Sequence, residues 1–250
     1  VSAIRPLFGK NAVVPIFIHM GNAIKFLVGK NTAVPILTGR LKGKKWIIGV
    51  GIEQVLGTWE ERYTRAFEDS VSPSSVVYDV GAAGGWYTLL ASQLVGDKGK
   101  VIAFEPLLSV LPYLRRHVEL NHCCNVQILE AAVSDTEGTA TFFANAGGQL
   151  GSLLPDYGSD EMAVQTVTVD SLVQREIIPV PDFIKMDIEG GELAALRGAE
   201  STLVNYAPML FLETHFDLYT KCRDLLRSFG YTLTTLSERP EAPGSIIAWK

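Results

Sequence analysis

Cysteine is scarce in this chain, and the little there is argues against two architectures. Cys123 and Cys124 are adjacent and Cys222 stands apart, which makes neither a disulfide framework nor a C-x-x-C metal knuckle. The pattern fits a reducing, cytoplasmic compartment. A surplus of positive charge is also missing: 22 Lys and Arg against 27 Asp and Glu leave a net charge of −5, which speaks against a nucleic-acid partner held on a basic face. Long apolar runs are missing too. "AVVPIFIHMGNAIKFLVG" (12–29) is interrupted by Pro15, His19, Asn22 and Lys25, short of the ~18 uninterrupted apolar residues that a bilayer helix requires. It lacks the n-region and cleavage pattern of a signal peptide. No transmembrane segment is expected, and peripheral membrane contact stays open. A first residue of Val rather than Met reads as a trimmed product.

What is present is apolar mass. With 47% apolar residues in 250, the chain can bury a substantial core as one large α/β domain or two small ones. Residues 1–73 read as an N-terminal extension. In it "GKNAVVPI" (9–16) returns as "GKNTAVPI" (29–36), a pair of similar helix–strand pieces too few for a solenoid. "KKWIIGVG" (44–51) reads as a strand, and Trp59, Tyr63 and Phe67 fall at four-residue steps on one helical face. Pro73 and its flanking serines mark a break.

From 74 to 250 the pattern is regular and reads as one domain. "VVYDV" (76–80), "KVIAFE" (100–105), "VQIL" (126–129), "DFIKMD" (182–187) and "MLFLET" (209–214) are strands. Between them lie a helix ending at Gly96, one opening near Pro112, and "ELAALRGAESTLV" (192–204). "VQTVTVD" (164–170) reads as an edge strand after a Gly- and Ser-rich stretch, 145–160. "YTLTTLS" and "SIIAWK" read as a closing hairpin. Strands alternating with helices of this length mean an α/β, doubly wound, mostly parallel sheet covered on both faces.

In such a sheet ligands bind beyond the carboxyl ends of the strands where strand order reverses. The first and fourth strands meet there, ending in Asp79-Val80-Gly81 and Asp187-Ile188-Glu189-Gly190. The loop "DVGAAGGWYT" (79–88) lets a ligand approach the backbone, since glycine carries no Cβ. A dinucleotide fingerprint set from Gly81 would need glycines where Ala83 and Trp86 stand, so the pyrophosphate cradle is poorly made. Glu105, at the end of the second strand, sits where an acid binds ribose hydroxyls. A glycine turn, a ribose acid and negative charge suit S-adenosylmethionine, a sulfonium cation without phosphate, better than NAD.

These pieces resemble the FkbM-type S-adenosylmethionine-dependent methyltransferases. The resemblance rests on "DVGAAGGWYT", "FEP" (104–106), "AAVSD" (131–135), "VTVDSL" (167–172), "KMDIEGGE" (185–192) and "LET" (212–214), in order, with "GTWE" (57–60) as lead-in. It implies the seven-stranded class I Rossmann-like methyltransferase fold and O-methylation of a sugar, glycolipid or secondary metabolite. It also implies a cofactor site of Asp79, Gly81, Ala82, Gly85, Thr88, Glu105, Pro106 and Asp187, with Ala132 and Val133 near adenine. Position 83 departs from relatives, which often carry a larger polar residue there, so Ala83 is given no contact.

Each residue also has a plainer role. Asp79 would cap the glycine turn, Glu105 would be a solvated strand end, and Asp187, Glu189 or Glu192 would cap the following helix. His215 in "LETHF" is a candidate base or an ordinary loop histidine. Asp187 is the first choice of base, then His215, with Glu189 third. His117, His122, Cys123 and Cys124 are read as structural rather than as a metal cluster. No metal is expected; if one binds, Asp187 and Glu213 on adjacent strand ends would take Mg²⁺. The 145–160 stretch and the segment near Trp59 are candidate acceptor lids. A nicotinamide oxidoreductase and a non-catalytic binding module are the rival readings.

Overall fold

A computed structural model describes residues 29–145, 150–154, 157–236 and 244–250. The first repeat copy and most of the 12–29 segment lie outside the described residues. Contacts divide the chain into two units, Val1–Glu61 and Arg62–Lys250. In the first, β1 (Ala33–Pro35) pairs antiparallel with β2 (Lys45–Ile47), and α1 (Ile52–Leu56) follows. Ile36, Leu41, Trp46 and Ile48 are buried in it. The second repeat copy is a turn and β1 rather than a helix and strand, because Thr32 N–H closes back on the carbonyl of left-handed Gly29. No helix among the described residues is long and apolar enough to cross a membrane.

The second unit opens on α2 (Glu61–Ser70), so Trp59 lies outside the helix that Tyr63 and Phe67 share. The unit takes in this helix because buried Phe67 packs edge-on against Tyr87, Phe183 and Phe211, with ring centroids 5.1, 5.3 and 6.0 Å away. The division falls in the first turn of α2, between Glu61 and Arg62.

The main elements then follow in chain order: β3 (Val76–Val80), α3 (Trp86–Val95), β4 (Lys100–Phe104), α4 (Leu111–Leu120) and β5 (Val126–Leu129). After these come β6 (Ala132–Val133), β7 (Gly138–Ala144), β8 (Gly151–Ser152), β9 (Asp160–Val167) and α5 (Val169–Gln174). β10 (Phe183–Met186), α6 (Glu192–Arg197), α7 (Glu200–Tyr206), β11 (Met209–Leu212), α8 (Leu218–Ser228), β12 (Thr232–Thr235) and β13 (Ile246–Trp249) complete the unit. Seven strands form one sheet in the order β12-β13-β11-β10-β3-β4-β5, with β13 alone running against its neighbours. The central strands are buried on both faces, which is why they read as continuous apolar runs. Their core joins Tyr78, Ile102, Phe104, Ile184, Leu210 and Leu212.

Two local expectations are corrected. "VQTVTVD" is not an edge strand: β9 lies inside a second, four-stranded sheet, parallel to β6 and antiparallel to β7, and the segment ends in α5. Thr168 stops the strand by accepting the Ser171 N–H at the N-cap of α5, 3.1 Å away. The helix expected over 192–204 is two helices. At Gly198 the backbone passes so close to the Ser134 carbonyl that a Cβ would collide. Asp170, from α5, restarts the chain as α7 by accepting the N–H groups of Ser201 and Thr202 at 2.8 and 2.7 Å.

Candidate functional site

Strand order reverses between β3 and β10, and the glycine loop leaves the sheet there. Gly81 and Gly85 take the left-handed conformation, with Ala83 between them at φ 46°. At Gly81 a Cβ would strike the carbonyl oxygen of Asp187, so only glycine lets the two strand tips close on one another. Asp187 N–H in turn donates to the Val80 carbonyl at 3.1 Å. Ala83 carries a Cβ in a region that disfavours one, at a cost of about 1 kcal/mol. Its N–H is held by the Glu105 carboxylate at 2.8 Å. Beneath the loop, buried His117 donates Nδ1–H to the Gly84 carbonyl at 2.7 Å. Burial pushes this imidazole down to about 4, outweighing the hydrogen bond, and keeps it neutral.

The loop borders an open cleft beyond the carboxyl ends of the strands. Gly81, Glu105, Pro106, Ala132, Val133, Asp187 and Glu189 line it, together with Ala83, which the sequence reading set aside. The other expected loop residues are not in this wall. Asp79 and Thr88 are fully buried under the loop, where the Thr88 hydroxyl donates to Asp79 at 2.6 Å. Ala82 packs with Ala103, Leu111 and Leu114, and Gly85 is pressed against Leu114. These four shape the loop. Phe142 and Leu153, from the second sheet and its insert, close the apolar side.

Glu105 is 5% exposed, and its oxygens accept the N–H groups of Ala83 and Leu107, both at 2.8 Å. Burial raises its pKa to about 7, assisted by the Asp79 charge; the two N–H donors and Lys185 pull the other way. Each carboxylate oxygen retains acceptor capacity toward the cleft.

Lys185 is the residue that sequence reasoning missed. It sits in β10 beside Asp79 of β3, and is 4% exposed. Its ammonium donates to the Gly81 carbonyl at 3.2 Å, pairs with Asp79 at 3.6 Å and Asp187 at 3.7 Å, and lies 5.1 Å from the centre of the Tyr87 ring. One signal was available: a lysine inside an otherwise apolar central strand has to be paired.

At the tip of β10 the structure brings Asp187, Glu189 and His215 together, with one potential ligand atom from each within 4.8 Å of the others. His215 Nε2 is 3.7 Å from Asp187 and 3.5 Å from Glu189. Its Nδ1–H donates to Glu192 at 2.8 Å, and the same Glu192 oxygen accepts the Gly190 N–H. Glu192 is wholly buried, so its role is to orient the imidazole and the turn. Burial opposes the imidazolium, but the Glu192 hydrogen bond and the charges of Asp187 and Glu189 prevail and raise His215 to about 9. Tyr157 hydrogen-bonds Glu189; burial and the nearby carboxylate charges push its hydroxyl up. A divalent cation would find its ligands in Asp187, Glu189 and His215; among the described residues Glu213 is not part of this group. His122, Cys123 and Cys124 lie at the α4–β5 turn, away from the strand tips.

A sheet of this order, with the glycine loop at its reversal and an acid closing β4, is the class I, Rossmann-like methyltransferase fold. A family model described as the methyltransferase FkbM domain matches residues 79–233, and the chain belongs to that family. The hexuronic acid methyltransferase AglP of Haloferax volcanii is 27% identical over 145 residues, 58% of this chain and 58% of its own length. A methyltransferase FkbM from Methylobacillus flagellatus superposes with a TM-score of 0.52 at 18% identity, covering 81% of this chain and 53% of that one. A precorrin-6y C5,15-methyltransferase from Geobacter metallireducens gives 0.50 at 18% identity, over 76% of this chain and 89% of the other. The chain thus spans little more than half the length of the first two.

Proposed function

We propose that this chain transfers a methyl group from S-adenosylmethionine to a hydroxyl oxygen of a sugar-type acceptor. The observation that carries the reading is the carboxylate–imidazole cluster at the tip of β10, whose Asp187 and Glu189 line the cleft that the glycine loop and Glu105 define, with His215 behind them. The hexuronic acid named for the Haloferax relative supports a carbohydrate as acceptor.

The cofactor fits the residues present. Glu105 offers two oxygens to ribose hydroxyls, Ala132, Val133 and Phe142 form an apolar wall for the base, and Gly81 exposes backbone without a Cβ of its own. Bound there, S-adenosylmethionine supplies an electrophilic methyl carbon on a sulfonium whose thioether is the leaving group. The chain's own task is to hold the acceptor oxygen in line and take its proton. Asp187 takes the proton at neutral pH, because His215 is already an imidazolium below about 9. Glu189 and His215 fix the acceptor's other hydroxyls and orient Asp187.

Calorimetry on the folded chain tests the first half, with S-adenosylmethionine and S-adenosylhomocysteine as titrants. Transfer of labelled methyl to methyl glucoside or methyl glucuronide tests the second. An absence of heat with both titrants overturns the reading. Glu105 adds a pH dependence whose sign is fixed. Its pKa is raised from 4.5 to about 7, so its contribution to the free chain's stability is present below 4.5 and is lost as pH rises through 7. Ribose hydroxyls donate best to the ionised form, so S-adenosylhomocysteine should bind more tightly as pH rises through about 7. Glu105→Gln should bind weakly with a flat pH profile. A wild-type affinity that falls over that interval would contradict the ribose role.

A further inference from the structure

Phe216 follows His215 and presents a large aromatic ring that is 56% exposed, on a backbone at φ 54°. Phenylalanine rarely occupies that region, and such strain persists where the surroundings hold it. Its ring lies directly over Gly190, itself at positive φ. A Cβ on Gly190 would lie 2.9 Å from the Phe216 ring and would also collide with Leu154. Both apolar side chains therefore cross directly over the turn after β10, the same turn that carries Asp187 and Glu189. The His215 and Phe216 ring centroids are 6.5 Å apart. An exposed aromatic plate thus borders a row of hydrogen-bond acceptors, beside the cleft wall that Glu189 and Gly191 form.

A pyranose ring has a face of C–H groups and a rim of hydroxyls. The first sheds water favourably onto an aromatic face, and the second donates to carboxylates. We propose that Phe216 is the stacking platform of an acceptor subsite that takes a pyranose ring, with Asp187 and Glu189 accepting from two of its hydroxyls. This rests on the hydroxyl-acceptor reading above and adds the acceptor's shape and the residue that selects it. The turn gathers the acceptor oxygens of Asp187, Glu189 and Glu192, so the edge presented to them carries hydroxyls and no carboxylate. A uronic acid would have to place its carboxylate away from this turn.

Saturation-transfer NMR tests the subsite on the whole chain with saturating S-adenosylhomocysteine, using methyl β-D-glucopyranoside as the sugar probe and benzyl alcohol as a flat, non-sugar alcohol. Wild type should transfer saturation to the pyranoside ring C–H protons. Phe216→Ala should weaken pyranoside binding about tenfold or more, and Phe216→Trp should retain it. The thioether should bind both variants as it binds wild type, because the replaced ring lies on the surface. Pyranoside binding that is absent in wild type or unaltered in Phe216→Ala overturns the subsite, as does benzyl alcohol binding the more tightly. A wild-type chain that does not bind the thioether overturns the methyltransferase reading instead, so the two failures are distinct.

Discussion

Asp187→Asn is expected to slow methyl transfer by about 10²–10⁴-fold, the range a positioned general base supplies, with S-adenosylhomocysteine affinity little changed. Asparagine keeps the side-chain shape and the backbone contact between Asp187 N–H and the Val80 carbonyl, so the β3–β10 junction survives. The proton acceptor is what disappears. The pH profile separates Asp187 from its neighbour. His215 is held at about 9, so an imidazole-driven reaction would climb steeply toward that pH. A carboxylate-driven one keeps its rate between neutral and about pH 9. His215→Gln should accordingly cost less at neutral pH than Asp187→Asn. Unchanged turnover in Asp187→Asn, with normal thioether binding, would remove Asp187 as the base.

Lys185→Met should be the more damaging change to the fold. Asp79 is fully buried, and among the described residues its Oδ1 accepts no hydrogen bond; the Lys185 ammonium 3.6 Å away supplies its compensating charge. Removing one partner of a buried pair leaves the other uncompensated and destabilises by about 3–5 kcal/mol. For a unit of this size that lowers the melting midpoint by about 10 °C or more. The Gly81 carbonyl would lose its donor at the same time, so thioether affinity should fall as well. Asp79→Asn placed on top of Lys185→Met should recover part of the stability, because it deletes the stranded charge while Thr88 keeps an acceptor. A single variant that melts with wild type would show that the pair contributes nothing.

The order of the main sheet was legible because its strands are buried on both faces and alternate with helices, which leaves few topologies. The position of Asp187, Glu189 and His215 beyond the strand tips was legible for a related reason: polar side chains within a few residues of an apolar strand's end fall where strands end. The second sheet was not. β7, "GTATFFA", is largely exposed in its first half and begins with Gly and Thr, so neither periodicity nor an apolar run marks it, and β9 reads as an edge without it. Lys185 was missed because its meaning lies in Asp79, which stands beside it on the neighbouring strand and 106 positions earlier in the chain (185 − 79). Spacing along one sequence does not reveal such a pair. The interruption at Gly198 depends similarly on Ser134 and Asp170, two groups from other elements.

The collision that any Cβ at Gly81 would have with the Asp187 carbonyl has a consequence for how such a protein can change over time. Donor grip and proton acceptor hang from two adjacent rungs of one ladder and shift only as a single body. Phe216, the proposed platform for the acceptor, and Leu154 beside it hang from separate loops. On the proposed reading, new acceptors can therefore be tried by redrawing those loops, while the spacing between the two strand tips stays as it was.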